Sequence, residues 1–227
     1  MNQIVKEATN VSKNIQESIT ILLADDHPTT RAGIRATLAQ TPDLIIVGEA
    51  QNGIEVQQMV AELRPRILLL DLRMPNLAPA KLEKWVRENY SDTITLILTQ
   101  HDRDTYLAKM MDAGVAGYLS KEISAEQLIG GIRRAARGEI LFDAAQLTRA
   151  NQWREEVGEK IKQLTPREKE VLEMLAKGLD NEAIAKSLDI TLKTTAYHNT
   201  NIFTKLQVRS RQEAVIWALK NLSDNLE

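Results

Sequence analysis

The sequence predicts a two-part protein, in which an α/β domain with a parallel five-stranded sheet is followed by a small domain made only of helices. Three observations carry this prediction. The 227 residues are enough for two domains of ordinary size. Short aliphatic and β-branched runs alternate with segments of helical period as far as residue 137. From Thr165 onward, every periodic segment has the period of a helix.

The strand candidates are five short runs of aliphatic and β-branched residues, each followed by a helical segment. The predicted strands are Thr20–Ala24, Leu44–Glu49, Ile67–Asp71, Thr93–Thr99 and Ala116–Ser120. The predicted helices are 29–40, 53–63, 79–89, 104–113 and 124–137. Because a helix follows each strand and the loops between strand and helix are only a few residues long, we expect parallel strands with right-handed crossovers. Runs such as Ile67–Leu70 are apolar throughout, which is typical of strands covered on both faces.

The second part begins after a polar connector. Residues 138–163 are polar with patches of helical spacing, so we interpret them as a partly helical linker. Thr165, Pro166 and Glu168 then have the order of a capping box with proline at the first helical position. Four helices are predicted, at 166–177, 181–187, 192–205 and 211–221. The predicted domains are thus 19–137 and 164–227.

Composition excludes several classes of protein. Lys and Arg number 29 against 31 Asp and Glu, so the net charge of −2 gives no overall positive field, and binding to nucleic acid needs a local patch. There is no cysteine, which excludes disulfides, thiolate catalysis and Cys-ligated metal centres. The longest aliphatic run, Ile67–Leu70, is far shorter than the roughly 20 residues of a membrane span. We therefore expect no membrane association and a cytoplasmic location.

Residues 1–18 are predicted to be an N-terminal extension that is either flexible or a short helix. The apolar residues Ile4, Ala8, Val11 and Ile15 would share one helical face, but helices this short are marginal in water. The segment also lacks the apolar stretch of a secretion signal, so export by that route is not expected.

Acidic and polar side chains stand at the ends of the predicted strands. These are Asp25 and Asp26 after the first strand, Asp71 at the third, Thr99 at the fourth and Lys121 after the fifth. The carboxyl ends of parallel strands share one edge of the sheet, where such folds place their working site. Carboxylates gathered there would repel one another without a cation, and oxygen ligands favour Mg²⁺. A carboxylate, a divalent ion, a hydroxyl and an amine together fit phosphoryl transfer onto an aspartate.

The first part resembles the receiver domain of two-component response regulators. The resemblance covers about 19–137 and rests on the segments ILLADDHP at 21–28, LDLRMP at 70–75, LT at 98–99 and GYLSK at 117–121. It implies a flavodoxin-like (βα)5 fold in which Asp71 accepts phosphate from a histidine kinase. The implied Mg²⁺ ligands are Asp25, Asp26, Asp71 and the backbone carbonyl of Arg73. The implied phosphoryl-binding and switch residues are Thr99, Lys121 and Tyr118, of which Tyr118 is the aromatic switch.

Two positions beside the implied phosphate site depart from the family pattern. Residues 76–80 read Asn-Leu-Ala-Pro-Ala where the family usually carries a Gly-rich turn, and Gln100 stands where Ala or Ser is common. A bulky amide at Gln100, facing Arg73, could obstruct the water that hydrolyses an acyl phosphate, which predicts a long-lived phosphorylated form. The same departures motivate an alternative, in which the receiver is a constitutive dimerisation or ligand-sensing module that does not use phosphorylation.

The helical part carries a local cationic face. Between Thr191 and Arg211 the charged residues are Lys193, Lys205, Arg209 and Arg211, which gives +4. Helices 181–187 and 192–205, joined by a short turn, have the lengths of a helix-turn-helix, whose second helix enters a major groove. Over about 162–222, including LTPREKEVL at 164–172 and NEAIA at 181–185, this part resembles the DNA-binding domain of the LuxR group. The predicted DNA contacts are Lys193, Thr194, Tyr197, Thr200, Lys205 and Arg209.

Joined to a receiver, a LuxR-type domain is the arrangement of the NarL/FixJ response regulators. We therefore predict a transcriptional regulator that is phosphorylated on Asp71 and then binds promoter DNA as a homodimer on inverted half-sites. Ala196 and Asn199 depart from the pattern of the recognition helix and motivate a second alternative, a protein-interaction adaptor. An Asn facing the core at 199 would cost about 1–3 kcal/mol unless it is hydrogen-bonded. The chain lacks a phosphate-binding glycine loop and a nucleophile elbow, so we predict that it is not an enzyme.

Overall fold

The protein is described here by a computed structural model covering residues 18–100 and 103–222. The predicted N-terminal extension lies almost wholly outside these residues, so that prediction is not tested. The chain divides into two compact units, one ending at Gln146 and the other beginning at Leu147. The boundary between them falls inside the predicted linker. None of the described helices combines the length and the apolar character that crossing a bilayer requires.

The first unit is built on one parallel sheet. Its strands are β1 (Ile19–Ala24), β2 (Leu44–Ala50), β3 (Ile67–Leu70), β4 (Ile94–Thr99) and β5 (Gly117–Ser120). They lie in the order β2-β1-β3-β4-β5. The start and the end of each strand lie within one residue of the predicted bounds. Because β1 lies between β2 and β3, the strand order reverses at β1, and the crevice of the sheet opens beyond the carboxyl ends of β1 and β3.

Five helices follow the strands in turn. They are α1 (Pro28–Leu38), α2 (Gly53–Leu63), α3 (Pro79–Asn89), α4 (Asp104–Ala113) and α5 (Ala125–Ala136). β3 is fully buried along its length, as its unbroken apolar run predicts. On one face of the sheet, residues of β1 and β3 form a core with α1 and α5, in which Leu38 and Ile132 are almost fully buried. The predicted parallel α/β architecture is confirmed.

The second unit is entirely helical. A helical stretch runs through α6 (Ala144–Trp153), which begins three residues before the second unit, a π-helical turn (Arg154–Gly158) and α7 (Glu159–Gln163), so most of the predicted linker is helical. Four further helices follow, namely α8 (Pro166–Ala176), α9 (Asn181–Ser187), α10 (Leu192–Leu206) and α11 (Arg211–Asn221). Their apolar faces share a core that includes Val171, Ile184 and Ile202. The predicted domain limits at 137 and 164 stay a prediction.

The capping signals in the sequence form as expected. The Thr165 hydroxyl accepts a hydrogen bond from the backbone N–H of Glu168, and the Glu168 carboxylate accepts one from the backbone N–H of Thr165 at 2.8 Å. Ser124 and Gln127 form the same reciprocal pair at the start of α5. Each box satisfies backbone groups that have no partner inside the helix, which is why these starts can be read from sequence.

Candidate functional site

The sheet brings the acidic residues of β1 and β3 to one place. The backbone N–H of Asp25 donates to Ala50 and that of Asp71 donates to Ala24, at 3.0 and 2.8 Å, so the strand pairing continues to the first residue beyond each strand. Asp25 and Asp71 are 1% and 3% exposed. Two carboxyl groups buried this deeply need compensating positive charge, because an unpaired buried charge is costly.

Lys121 supplies that charge. Its ammonium Nζ lies 2.7 Å from an oxygen of Asp25 and 2.7 Å from an oxygen of Asp71, and its side chain is 7% exposed. Burial by itself lowers the pKa of Lys121, but the hydrogen bonds and charges of the two carboxylates outweigh burial and raise the pKa above its usual value. Lys121 is therefore a fixed cation between the two acids. Sequence reasoning placed all three residues at this edge of the sheet.

One oxygen of Asp71 remains available for further chemistry. Within the described part of the chain, its buried Oδ1 has no hydrogen-bond partner, while its Oδ2 holds Lys121. Asp25, Asp26, His27 and Asp71 each place one possible ligand atom within 4.8 Å of the others. A partnerless buried carboxylate oxygen among further carboxylates fits a hard divalent ion such as Mg²⁺. The residues present thus fit the ion that the sequence implies.

Thr99 and Tyr118 lie on the neighbouring strands. Thr99 ends β4 and is 2% exposed, and its carbonyl accepts a hydrogen bond from the backbone N–H of Lys121 at 3.0 Å. Tyr118 lies on β5 opposite Ile97 and is 3% exposed, so its ring is inside the structure. Both residues are thus buried on the strands where the sequence places them, and their roles stay a prediction.

The loop after β3 takes the shape that a glycine would favour. Asn76 adopts a left-handed backbone conformation with φ of 55°, which Asn tolerates better than most residues. The preceding carbonyl, that of Pro75, accepts a hydrogen bond from the backbone N–H of Gly53 at 2.9 Å. The unusual 76–80 sequence therefore does not prevent a tight turn beside Asp71. Whether the carbonyl of Arg73 binds an ion stays a prediction.

Sequence reasoning missed two residues at this site. The first is Arg31, which is 8% exposed and donates from Nη1 to the backbone carbonyl of Asp25 at 2.6 Å. Its Nε donates to Glu49 at the end of β2, at 3.3 Å. The second is His27, whose imidazole Nδ1 lies 2.7 Å from a carboxylate oxygen of Asp26. The sequence shows that Arg31 lies one helical turn after His27, but no local pattern predicts that Arg31 contacts Asp25 and Glu49.

The second unit presents α10 in a helix-turn-helix. Asp189, in the turn between α9 and α10, has a left-handed φ of 51°, and the Thr191 hydroxyl caps α10 by accepting from the backbone N–H of Thr194 at 3.1 Å. Along α10, Lys193, Tyr197 and Thr200 are exposed, and Tyr197 is 64% exposed. These three residues lie on one side of the helix, at spacings of four and three. The exposed face of α10 therefore includes three of the residues that the sequence analysis predicts to contact DNA.

Not all the positive charge near α10 is available to a ligand. The Lys205 ammonium lies 2.6 Å from the carboxylate of Glu168, which is 3% exposed. Burial raises the pKa of Glu168, but the hydrogen bonds from Lys205 and Thr165 outweigh it, so the pKa lies below its usual value. Arg211 donates to the carbonyl of Leu179 and to the side chain of Asn181. Both cations thus have structural partners.

Asn199 is buried, but its side chain is hydrogen-bonded. It is 7% exposed, and its amide Nδ2 donates to the side-chain oxygen of Asn181 at 2.9 Å. That oxygen also accepts from Arg211 at 3.1 Å. Oδ1 of Asn199, by contrast, is buried without a hydrogen-bond partner among the described residues, so the condition under which an Asn at this position would be tolerated is met only for Nδ2. The hydrogen bond from Nδ2 ties α10 to α9.

Comparison with known proteins agrees with this geometry. The family model "Response regulator receiver domain" matches residues 21–133, and the model "Bacterial regulatory proteins, luxR family" matches residues 162–218. Asp25, Asp71, Thr99 and Lys121 lie within the first match, and α10 lies within the second.

Relatives of similar length match almost the whole chain. The nitrate/nitrite response regulator protein NarL of Escherichia coli is 37% identical over 89% of this chain and 95% of its own. The response regulator protein VraR of Staphylococcus aureus is 33% identical over 90% of this chain and 98% of its own. A structure of the RcsB response regulator of Salmonella typhimurium has a TM-score of 0.61 at 23% identity, and covers 89% of this chain and 100% of its own. The RcsB likeness concerns the fold alone.

Proposed function

We propose that this chain, which belongs to the response regulators that join a receiver domain to a LuxR-type DNA-binding domain, is switched by phosphorylation of Asp71 and then regulates transcription. A histidine kinase would be the phosphate source, and promoter DNA the target. The protein would meet both in the cytoplasm. The family relationship supports the general activity, and the assignment of individual residues is the proposal.

The observation that carries the proposal is the state of the Asp71 carboxylate. It is buried, one oxygen is held by Lys121, and the other has no hydrogen-bond partner among the residues described. The fixed ammonium can neutralise charge on a phosphoryl group, and the carboxylate can bind an ion through one oxygen and form the bond to phosphorus through the other. A purely structural aspartate at this depth would be expected to have both oxygens satisfied.

In the proposed reaction, an oxygen of Asp71 attacks the phosphorus of a phosphohistidine. A P–O bond forms, the P–N bond breaks, and the leaving imidazole nitrogen keeps the electron pair of that bond and takes a proton from solvent. Lys121 holds its charge beside the equatorial oxygens, and the Thr99 hydroxyl donates to one of them. Mg²⁺ bound by Asp25, Asp26 and Asp71 would supply further charge neutralisation. Because the aspartate is consumed once per event, this is stoichiometric signalling and not turnover.

The proposal is tested by treating the full-length chain with a small-molecule phosphodonor in Mg²⁺ buffer. We expect a mass gain of about 80 Da, the mass of one phosphoryl group, that is absent in Asp71→Asn. Asp92→Asn, a change at an exposed aspartate after α3, is the matched control and should gain the same mass as the unaltered chain. No mass gain in the unaltered chain, or an equal gain in Asp71→Asn, would contradict the proposal.

DNA binding is proposed to use the exposed side of α10. Lys193 and Arg209 are exposed and would contact phosphates, while Thr194, Tyr197 and Thr200 would face the groove. Lys205 is the weaker candidate for a phosphate contact, because its ammonium already pairs with Glu168. A homodimer on inverted half-sites one helical turn apart would present two such helices to one face of the duplex.

We expect Lys193→Ala to weaken binding to DNA of any sequence and to lower the slope of log affinity against log salt by about 1, because one phosphate contact is lost. The measurement is fluorescence anisotropy of a labelled random-sequence duplex at several salt concentrations.

Lys205→Met should behave differently from Lys193→Ala. Its main expected effect is on folding of the helical unit, with a loss of about 1–3 kcal/mol, because the buried Glu168 carboxylate loses its cation. If Lys193→Ala leaves the salt slope unchanged, α10 does not contact phosphates as proposed. A complete lack of salt-dependent binding by the unaltered chain would favour the adaptor alternative, which the structural pairing of Lys205 and Arg211 keeps open.

The phosphorylated form is expected to persist. Gln100 directly follows Thr99 and is exposed, so its amide can stand at the mouth of the site. We expect Gln100→Ala to shorten the lifetime of the aspartyl phosphate about tenfold, which corresponds to ~1.4 kcal/mol of barrier. The measurement is the loss of the phosphate mass with time in Mg²⁺ buffer, and decay of the unaltered chain within seconds would contradict a protective role for Gln100.

A further inference from the structure

We propose that the imidazole of His27 is a fourth side-chain ligand at the ion site formed by Asp25, Asp26 and Asp71, so that this site favours nitrogen-accepting ions such as Co²⁺ over Mg²⁺ more strongly than the carboxylates alone would. The inference rests on the proposed function only in requiring that this site binds a divalent ion. It adds a residue that determines how strongly the site discriminates between divalent ions.

The Nδ1 atom of His27 is close enough to the carboxylates of Asp25 and Asp26 to share an ion with them. Its Nδ1 lies 2.7 Å from Oδ1 of Asp26 and 3.4 Å from Oδ1 of Asp25. Two donors at right angles on an octahedral ion with bonds of about 2.1 Å are roughly 3.0 Å apart. The possible ligand atoms of Asp25, Asp26, His27 and Asp71 all fall within 4.8 Å of one another, close to the roughly 4.2 Å between opposite ligands of such an ion.

A second observation points to a ligand in this cluster. Among the residues that the structure describes, Oδ1 of Asp71 has no hydrogen-bond partner although the residue is 3% exposed. The cluster therefore contains a buried carboxylate oxygen whose bonding is incomplete. An acidic group on the surface is open to solvent, whereas this oxygen is buried.

The backbone holds His27 in this position. Its N–H donates to Oδ1 of Asp25 at 2.8 Å, and the following residue, Pro28, restricts the backbone of His27 to extended conformations. His27 occupies the N-cap position of α1, yet its side chain makes no capping hydrogen bond. The ring is instead turned toward the carboxylates. It is also 65% exposed, so ions can reach it from solvent.

The chemistry of imidazole gives the selectivity. An imidazole with its proton on Nε2 offers the Nδ1 lone pair to a metal ion. First-row transition ions accept such nitrogen readily, whereas Mg²⁺ prefers oxygen and water. The sequence has no cysteine and three histidines, so His27 is one of very few nitrogen or sulfur donors that could produce such a preference.

The test compares the affinities of Mg²⁺, Mn²⁺ and Co²⁺ for the full-length chain and for His27→Gln, by calorimetry and by the electron paramagnetic resonance of free Mn²⁺. We expect the variant to lose about tenfold or more in Co²⁺ affinity and several-fold in Mn²⁺ affinity, with little change for Mg²⁺. Zn²⁺, which also binds imidazole nitrogen, can be used for NMR because it is diamagnetic. In ¹⁵N-histidine spectra, its addition should shift the resonance of Nδ1 of His27 and leave that of Nε2 nearly unchanged.

Two controls localise the effect. His198→Gln changes a histidine of the other unit, and His101→Gln changes one that lies outside the described residues but two positions after Thr99 in sequence. Neither should alter the preference for Co²⁺ over Mg²⁺. A shift caused by His101→Gln and not by His27→Gln would overturn the inference.

Failure of the inference can be told apart from failure of the proposed function. If His27→Gln changes the three affinities equally, or not at all, while Asp71→Asn abolishes Mg²⁺ binding, His27 is no selective ligand but the receiver site stands. If the unaltered chain binds none of the three ions, both proposals fall.

Discussion

At pH 8, the Glu83→Gln variant should be more stable than the unaltered chain, with a free energy of unfolding about 3 kcal/mol higher. Glu83 lies on α3, is 2% exposed, and its Oε2 has no hydrogen-bond partner within the described ranges. Burial raises the pKa of Glu83 from 4.5 to about 7, because the nearby Thr95 hydroxyl and the charge of Arg87 offset the lost hydration only in part.

The sign of the effect follows from proton binding. Between pH 4.5 and 7 the folded state holds a proton on Glu83 that the unfolded chain has lost, so stability falls as pH rises through this window and stays low above it. Gln resembles the protonated acid and cannot ionise. The advantage of Glu83→Gln should therefore shrink from about 3 kcal/mol at pH 8 to about 1 kcal/mol at pH 5.

Hydrogen exchange of the β4 amides, corrected for intrinsic rates, measures this difference in the full-length chain. Glu88→Gln is the matched control, since Glu88 is on the same helix with its side chain 61% exposed beside Lys84, and it should change stability little at either pH. Equal stability of Glu83→Gln and the unaltered chain at pH 8 would show that Glu83 is ionised without cost in the fold.

Replacing Gly53 with alanine should destabilise the receiver by about 1–3 kcal/mol. A Cβ at this position would lie 2.1 Å from the backbone carbonyl oxygen of Asn76 and 2.9 Å from Cα of Leu77. These are main-chain atoms in the loop after β3, and they cannot move aside as a flexible side chain would. The variant must either open the 75–77 loop or displace the start of α2.

Because that loop follows Asp71, we also expect Gly53→Ala to slow phosphorylation from a small-molecule donor. Urea unfolding and the rate of phosphate mass gain are the two measurements. Gly33→Ala is the matched control, since a Cβ there meets nothing within 4 Å and the residue is exposed within α1. It should leave the rate unchanged and stabilise α1 by up to ~1 kcal/mol. A stable and normally phosphorylated Gly53→Ala would mean that the loop is not held against α2.

Much of the receiver site could be predicted because its residues stand at strand ends. Asp25, Asp71 and Thr99 each close an apolar run, and parallel strands bring their carboxyl ends to one edge whatever the details of packing. The capping pair Thr165 and Glu168 was equally visible, since its two partners are three residues apart. Interactions between near neighbours, or between the ends of repeated units, leave a signal in the sequence.

The partners of isolated charged residues could not be predicted. From the sequence, Lys193 and Lys205 are equally good candidates for contacting DNA, since both lie on one cationic segment. Only the packing of α8 against α10 shows that Lys205 faces the buried Glu168. The sequence predicts a cost for a buried Asn199, and only the structure shows that its Nδ2 donates to Asn181 while its Oδ1 has no partner among the described residues. These contacts join residues 18 to 37 positions apart, and the period of a helix predicts a face but not what lies opposite.

The sequence by itself determined the parallel α/β domain, the helical domain and the set of acids and lysine that meet at the sheet edge, because hydrophobic period and strand-end position are local properties. Only the tertiary structure decided that His27 turns toward Asp26 and that Glu83 is buried without a full set of hydrogen-bond partners. It also decided that the loop after β3 packs directly against the backbone of Gly53. Each of these depends on how close two distant stretches of chain approach, which is fixed by the packing of the whole domain and leaves no mark on either stretch alone.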